Sequence, residues 1–198
     1  MTKRIGITGG IGSGKTTACR LFEVLGIPVY YADDRAKWLM QNDEQLIQKL
    51  KSTFGDQVYN QDGQLDRAYL AGIVFNDRAK LDQLNGIVHP AVREDGIAWD
   101  KEHTETPYTL REAALLYESG IYQLLDHIIT VTAPEELRIE RVMARDGVDA
   151  AAVKARIDKQ WPEEKKVAMA DFVIHNDGQQ SLIQQVYQIH QQLIQENV

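Results

Sequence analysis

A single cysteine, Cys19, stands in 198 residues. No intrachain disulfide can form, so packing alone must hold the fold, as suits a reducing cytoplasm. Positive charge is in deficit: 22 Lys and Arg against 29 Asp and Glu give a net charge of −7. A broad nucleic-acid surface needs the opposite balance and is not expected. A small basic pocket for an anionic metabolite is compatible with it. No apolar run approaches the roughly 20 residues that span a bilayer. Met-Thr-Lys-Arg leads straight into a strand, which is read as the absence of a signal peptide. His103, His127, His175 and His190 lack the spacing of metal ligands. There is no internal repeat, and no Asn-Lys-x-Asp segment of the kind that reads guanine. The expectation is a cytoplasmic protein, monomer or small homo-oligomer, with neither nucleic acid nor membrane as partner. Its length suits one domain, and 43% hydrophobic residues suffice for a sizeable core.

What is present begins with Arg4 to Thr8, a strand entering a Gly-rich turn. A helix is predicted from near Gly14 to about Leu25, with Ala18, Leu21, Phe22 and Leu25 on one face and Gly26 ending it. Ile27 to Tyr31 reads as a second strand, followed by a helix from about Asp33. This β-α-β-α order predicts a parallel sheet covered by helices. Residues 43–103 are strand-poor and read as a helical insertion, with turns at Asp62-Gly63 and His89-Pro90. Pro107 to Ala114 and Asp126 to Thr132 supply two more strands. Pro134 opens a helix that carries Arg138, Arg141 and Arg145. A polar segment over 146–165 reads as a mobile lid. Phe172 to His175 is the fifth strand. Residues 179–196 form the last helix, with Leu182, Ile183, Val186, Ile189 and Leu193 in its buried stripe. The expected fold is α/β, a P-loop-type doubly wound sheet of five parallel strands. It is read as one domain over 1–198, with its core in 1–42, 104–145 and 166–198.

Gly9-Gly10-Ile11-Gly12-Ser13-Gly14-Lys15-Thr16 fits G-x-x-x-x-G-K-[ST] in full and sits between a strand and a helix. The glycines let the backbone turn tightly and aim N–H groups from Ile11 to Thr17 at phosphate oxygens, and the helix presents its positive end to the same anion. Lys15 can reach the β- and γ-phosphates, the Thr16 hydroxyl can ligate Mg²⁺, and Thr17 can contact the α-phosphate. ATP with Mg²⁺ is the expected donor.

Asp33 and Asp34 follow the carboxyl end of the second strand, where ligands of open α/β sheets bind. Two readings stand for Asp33: a carboxylate that takes the proton of an acceptor hydroxyl, or a helix N-cap. Arg141 and Arg145, four apart, share a helix face and with Arg138 can clamp phosphate oxygens; pairing with Glu135, Glu136 and Glu140 is the competing reading. Glu118 is open between a Mg²⁺-bound water and a helix cap. Trp38, Trp99 and Trp161 read as packing residues, and Cys19 as buried.

These segments together resemble the dephospho-coenzyme A kinase family over nearly the whole chain. The Thr8-to-Lys15 run is similar to that family's start, and Ala32-Asp33-x-x-Ala36 to the end of its Asp-Ala-Asp-x-x-Ala motif, with Tyr31 in place of the first Asp. His89-Pro90 matches its His-Pro, and Ala114-Leu115-Leu116-Tyr117-Glu118 resembles its Pro-Leu-Leu-Phe-Glu, with Ala for Pro. Arg141-x-x-x-Arg145-Asp146, Ala155-Arg156 to Gln160, Pro162-x-Glu164-Lys165 and Ala170 to Gly178 continue the likeness. The resemblance implies that dephospho-coenzyme A is the acceptor, that Asp33 is the base, and that His89 lies on the substrate side. It also implies that Asn176 lies by the adenine of ATP and that Arg141 and Arg145 serve the lid. Another small-molecule kinase, such as a nucleoside monophosphate kinase, is the alternative.

Overall fold

Ile5 and Ile7 alternate with Gly6 and Thr8 in a strand that is buried over its last four residues, the pattern of a parallel strand covered on both faces. In this computed structural model, which describes residues 2–75 and 77–195, the strands are β1 (Lys3–Thr8), β2 (Val29–Tyr31), β3 (Tyr108–Glu112), β4 (His127–Thr132) and β5 (Phe172–His175). The helices are α1 (Lys15–Val24), α2 (Ala32–Asn42), α3 (Glu44–Phe54), α4 (Arg67–Val74) and α5 (Arg78–Glu102). They continue with α6 (Glu135–Asp146), α7 (Ala150–Ile157), α8 (Glu163–Ala168) and α9 (Leu182–Gln195). Position 196, the end of the expected last helix, lies outside the described residues.

The described residues form two compact units. One takes the chain up to Tyr31 and again from His103. It holds all five strands in one parallel sheet, in the order β2-β3-β1-β4-β5, as the sequence predicted. The second strand is shorter than predicted, beginning at Val29. Because β1 leads to β2 on one side and β4 leads to β5 on the other, a crevice opens between the carboxyl ends of β1 and β4. On one face α1 and α9 pack together over Ile5, Ile7, Ile129, Val131 and Ile174. On the other, Gly6 faces Leu116 and Leu125, where an added Cβ would stand 2.7 Å from the Leu125 side chain. The buried stripe of α9 runs through Val186, Ile189, His190 and Leu193. Ile183, expected in that stripe, is exposed, because it lies about 100° around the helix from Leu182, which does face the core.

His190 takes the place in the core that Ile183 does not. Its Nδ1 shares a 2.8 Å hydrogen bond with the buried Tyr108 hydroxyl. Burial pushes the His190 imidazole below its usual pKa and the Tyr108 phenol above its own, so both are held neutral. The native state therefore binds a proton at His190 less readily than the unfolded chain. The stability this contributes is complete above the unfolded histidine pKa of about 6.5 and is lost as pH falls through the lower folded value. Melting temperature is expected to fall between pH 7 and pH 5 more steeply in the wild type than in His190→Gln. Parallel melting curves across that range would contradict the assignment.

The second unit, Ala32–Glu102, contains α2 to α5 and a short 3-10 turn at Asp56–Val58. Asp43 caps α3 by accepting from the Leu46 N–H at 2.7 Å, and Asp66 caps α4 through the Tyr69 N–H at 2.8 Å. Asn60 Oδ1 accepts from the Asp62 and Gln64 N–H groups and builds the predicted turn at Asp62-Gly63. The turn predicted at His89-Pro90 is not there: both residues lie inside α5, which runs unbroken through Pro90. Proline removes the bond to the Gly86 carbonyl, but α2, α3 and α4 all pack along α5, and burial of Val88, Val92 and Gly96 outweighs that loss. The unit begins at Ala32 rather than at 43, because α2 joins this packing; Arg35 Nε donates to Asp95 Oδ2 at 2.9 Å. Trp38, read as a packing residue, is half exposed, with the Arg35 guanidinium 4.5 Å above its ring.

Candidate active site

The end of β1 is fastened twice to Ala113, just past β3, before the Gly-rich loop begins. The Thr8 hydroxyl donates to the Ala113 carbonyl at 2.9 Å, and the Ala113 N–H donates to the Ile7 carbonyl at 3.2 Å. The loop then turns into the crevice. Gly14, the residue before α1, is left-handed (φ 94°), and among the described residues no side chain caps that helix. A Cβ at Gly14 would run into the Asn176 carboxamide, and one at Gly12 (φ 80°) would stand 2.5 Å from the Arg138 carbonyl. Glycine is thus required twice over, by backbone angle and by close approach. Lys15 Nζ donates to the Gly9 carbonyl at 3.0 Å, which folds its side chain along the loop. Thr16 and Thr17 are exposed in the first turn of α1.

Three residues from two elements, Asn176 after β5 and Arg141 and Arg138 on α6, wall this loop. Asn176, just past β5, donates from Nδ2 to the Ser13 carbonyl at 2.8 Å. Its own carbonyl accepts from Arg141 Nη2 at 3.0 Å. Arg141 Nη1 is buried with no hydrogen-bond partner among the described residues, a cationic donor left for an acceptor. Arg138 does not clamp from the surface. It is buried; Nε donates to the Ala133 carbonyl at 3.1 Å, and its guanidinium lies 3.7 Å from Glu163 and 3.9 Å from Glu135. It supports the loop from beneath Gly10 and Gly12.

Arg145 stands apart. Its guanidinium is exposed and grips Asp146 at 2.7 and 3.2 Å, and Arg156 joins the same carboxylate at 2.8 Å. Those bonds, the one from Arg145 first, hold the Asp146 carboxyl at about 2. Asp33 lies in the first turn of α2, inside the helix rather than at its cap position, since α2 begins at Ala32. The cap reading is therefore corrected. A carboxylate there is favoured by the helix dipole and stays exposed. His89 is exposed on α5; Asp33 and His89 both belong to the helical unit.

Glu118 does not cap a helix. Its Oε1 accepts from the Trp161 N–H at 2.7 Å and lies 3.2 Å from the fully buried Lys166 ammonium. The Trp161 ring stacks on Tyr117 with centroids 5.9 Å apart, and Lys165 covers a Trp161 face. Residues 160–166, which include the end of the segment read as a lid, are thereby docked. A cavity of about 940 Å³ opens beside residues 157–168, lined in part by Arg138, Gln160, Trp161, Glu163, His175 and Asp177. Its carboxylates disfavour a polyphosphate.

Glu112 was not singled out from the sequence. It is buried at the carboxyl end of β3, in register with Ile7 of β1, and its charge helps raise the thiol pKa of the buried Cys19, though burial does so more. Only the strand order, which puts β3 beside β1, could have found it. Among the described residues no cluster of His, Cys, Asp and Glu is built to hold a metal unaided, and no helix is long and apolar enough to cross a membrane.

Known proteins agree with this picture. The profile of the family described as dephospho-CoA kinase matches residues 3–181. A dephospho-CoA kinase of Bacteroides fragilis is 38% identical over 189 residues, 96% of this chain and 92% of that one. One of Porphyromonas gingivalis is 42% identical over 186 residues, 93% of this chain and 91% of that one. The solved structure of dephospho-CoA kinase from Campylobacter jejuni aligns over the full length of both chains, with a TM-score of 0.71 and 30% identity. TT1252 from Thermus thermophilus aligns over 98% of this chain and 97% of its own, with a TM-score of 0.83 and 36% identity.

Proposed function

The chain belongs to the dephospho-CoA kinase family, and on that premise we propose that it transfers the γ-phosphoryl group of ATP to the ribose 3′-hydroxyl of dephospho-coenzyme A, giving coenzyme A and ADP. The observation that carries the reading is the complete phosphate cradle at Gly9–Thr16, set in the crevice between β1 and β4 and backed by Arg138, Arg141 and Asn176. In this reading the loop amides from Gly12 onward and the uncapped start of α1 hold the phosphates, the Ile11 N–H being taken by Gln160 Oε1 at 2.9 Å, and Lys15 swings from the Gly9 carbonyl to the β- and γ-oxygens. Thr17 serves the α-phosphate and Asn176 the adenosine side.

Mg²⁺ fits the donors available: the exposed Thr16 hydroxyl and, through water, the Glu112 carboxylate offer hard oxygens to an ion that keeps several waters. When bound, it would supply positive charge that offsets the negative charge of the phosphates. Asp33 accepts the proton of the acceptor hydroxyl as its oxygen attacks phosphorus. Arg141, through its unpartnered Nη1, and Arg145, released from Asp146, stabilise charge on the transferring group. The helical unit with His89 serves the acceptor, and the segment 146–159 closes over the donor, so water is excluded. The whole chain then works as one kinase domain in the cytoplasm, as a monomer or small homo-oligomer without nucleic-acid or membrane partners.

ADP release measured against a panel of acceptors tests this directly. Dephospho-coenzyme A is expected to stimulate release far above the rate without acceptor, while nucleoside monophosphates do not. Stimulation by a nucleoside monophosphate instead would favour the alternative kinase, and slow hydrolysis that no acceptor raises would overturn both.

A further inference from the structure

Gln160 closes the turn after α7, its N–H donating to the Ile157 carbonyl at 2.9 Å. Its carboxamide reaches across the molecule: Oε1 accepts from the Ile11 N–H at 2.9 Å, and Nε2 donates to the Ala114 carbonyl at 3.4 Å. Ile11 is the third residue of the cradle. The peptide that carries its N–H also carries the Gly10 carbonyl, and that carbonyl accepts from the Ser13 N–H at 3.1 Å. One peptide plane is therefore held at both ends, by Ser13 from within the loop and by Gln160 from outside. The plane sets the direction of the loop just before the amides of Gly12 to Lys15. Gln160 is itself held in place: Trp161 is bonded to Glu118 and stacked on Tyr117, and Glu163 faces Arg138.

We propose that Gln160 is a positioning residue for phosphoryl transfer: by fixing the Gly10–Ile11 peptide from the turn after α7, it preorganises the cradle amides around the transferring end of ATP. It touches no reacting atom. Its contribution is that the loop need not reorganise as charge moves during transfer, and a displacement of about 1 Å in such a site can cost about 10²-fold in rate. The proposal rests on the kinase reading, but half of its test needs no substrate.

Gln160→Met keeps the side chain's length and removes both bonds. Gln160→Glu keeps an acceptor for the Ile11 N–H. In the wild type, the Ile11 amide is expected to be protected from hydrogen exchange without any ligand. In Gln160→Met that protection should be lost, and kcat should fall about 10- to 100-fold, with ATP affinity changed less than about threefold and melting little altered. Gln160→Glu should keep the protection and most of the rate. An unprotected Ile11 amide in the wild type overturns the proposal even if Gln160→Met does not fold. So does a Gln160→Met enzyme that turns over at the wild-type rate, or one that is slow while Ile11 stays protected. Failure of the kinase reading would appear separately, as wild-type enzyme that releases no ADP on addition of dephospho-coenzyme A.

Discussion

Asp33→Asn is expected to lower kcat by about 10²- to 10⁴-fold, the range a positioned general base contributes. The substitution is isosteric and exposed, so its structural cost is small: a carboxylate in the first turn of α2 is worth about 0.3–1 kcal/mol through the helix dipole. ATP affinity, measured directly by calorimetry, should change little, because the cradle at Gly9–Thr16 is untouched. What the variant loses is an acceptor for the hydroxyl proton at the moment of attack, and asparagine supplies a donor in its place. The neighbouring Asp34 lies about 100° further around α2 and pairs with Lys37 at 2.7 Å. An Asp33→Asn enzyme that keeps more than a tenth of the wild-type kcat would remove Asp33 from the chemistry and leave the acceptor's base unassigned.

Lys15→Ala should be the more severe change, with kcat/KM reduced by at least about 10³-fold. The ammonium is the one cation within the cradle motif itself, and Arg138, walled in by Glu163 and the Ala133 carbonyl, is not placed to replace it. The fold should survive. Lys15 contributes a hydrogen bond to the Gly9 carbonyl, and such a bond is worth about 0.5–1.5 kcal/mol, a shift of a few degrees in a domain of this size. Comparing thermal melting with turnover separates the two effects. A collapse of the melt would mean that Lys15 holds the loop rather than the phosphates. Retained turnover would contradict the phosphate reading itself.

The arginines show how far residue type carries and where it stops. Three of them on α6 invite a single role, yet they divide. Arg138 is structural and buried, Arg141 joins Asn176 at the cradle wall, and Arg145 is tied to Asp146 at the surface. A helix face predicts which side chains lie near one another. It does not say which wall of the protein they meet, because that depends on the strands that the helix crosses. His89-Pro90 makes the converse point. Local rules predict a break, and packing along α5 overrides them.

The cradle was legible at once because the requirements of phosphate binding follow one another directly after the end of β1 at Thr8, in the eight positions Gly9 to Thr16: glycines for the turn, a helix start, a lysine and a hydroxyl. The apolar residues Ile128, Ile129 and Val131 likewise marked β4, since a strand buried on both faces carries apolar residues in near succession. Tertiary structure alone decided what surrounds the loop. Asn176 meets Ser13 across 163 positions and Gln160 meets Ile11 across 149. Glu112 lies beside β1 only because the sheet runs β2-β3-β1-β4-β5. Such pairings depend on which strands become neighbours, a choice made by the packing of the whole sheet and carried by no single stretch of sequence.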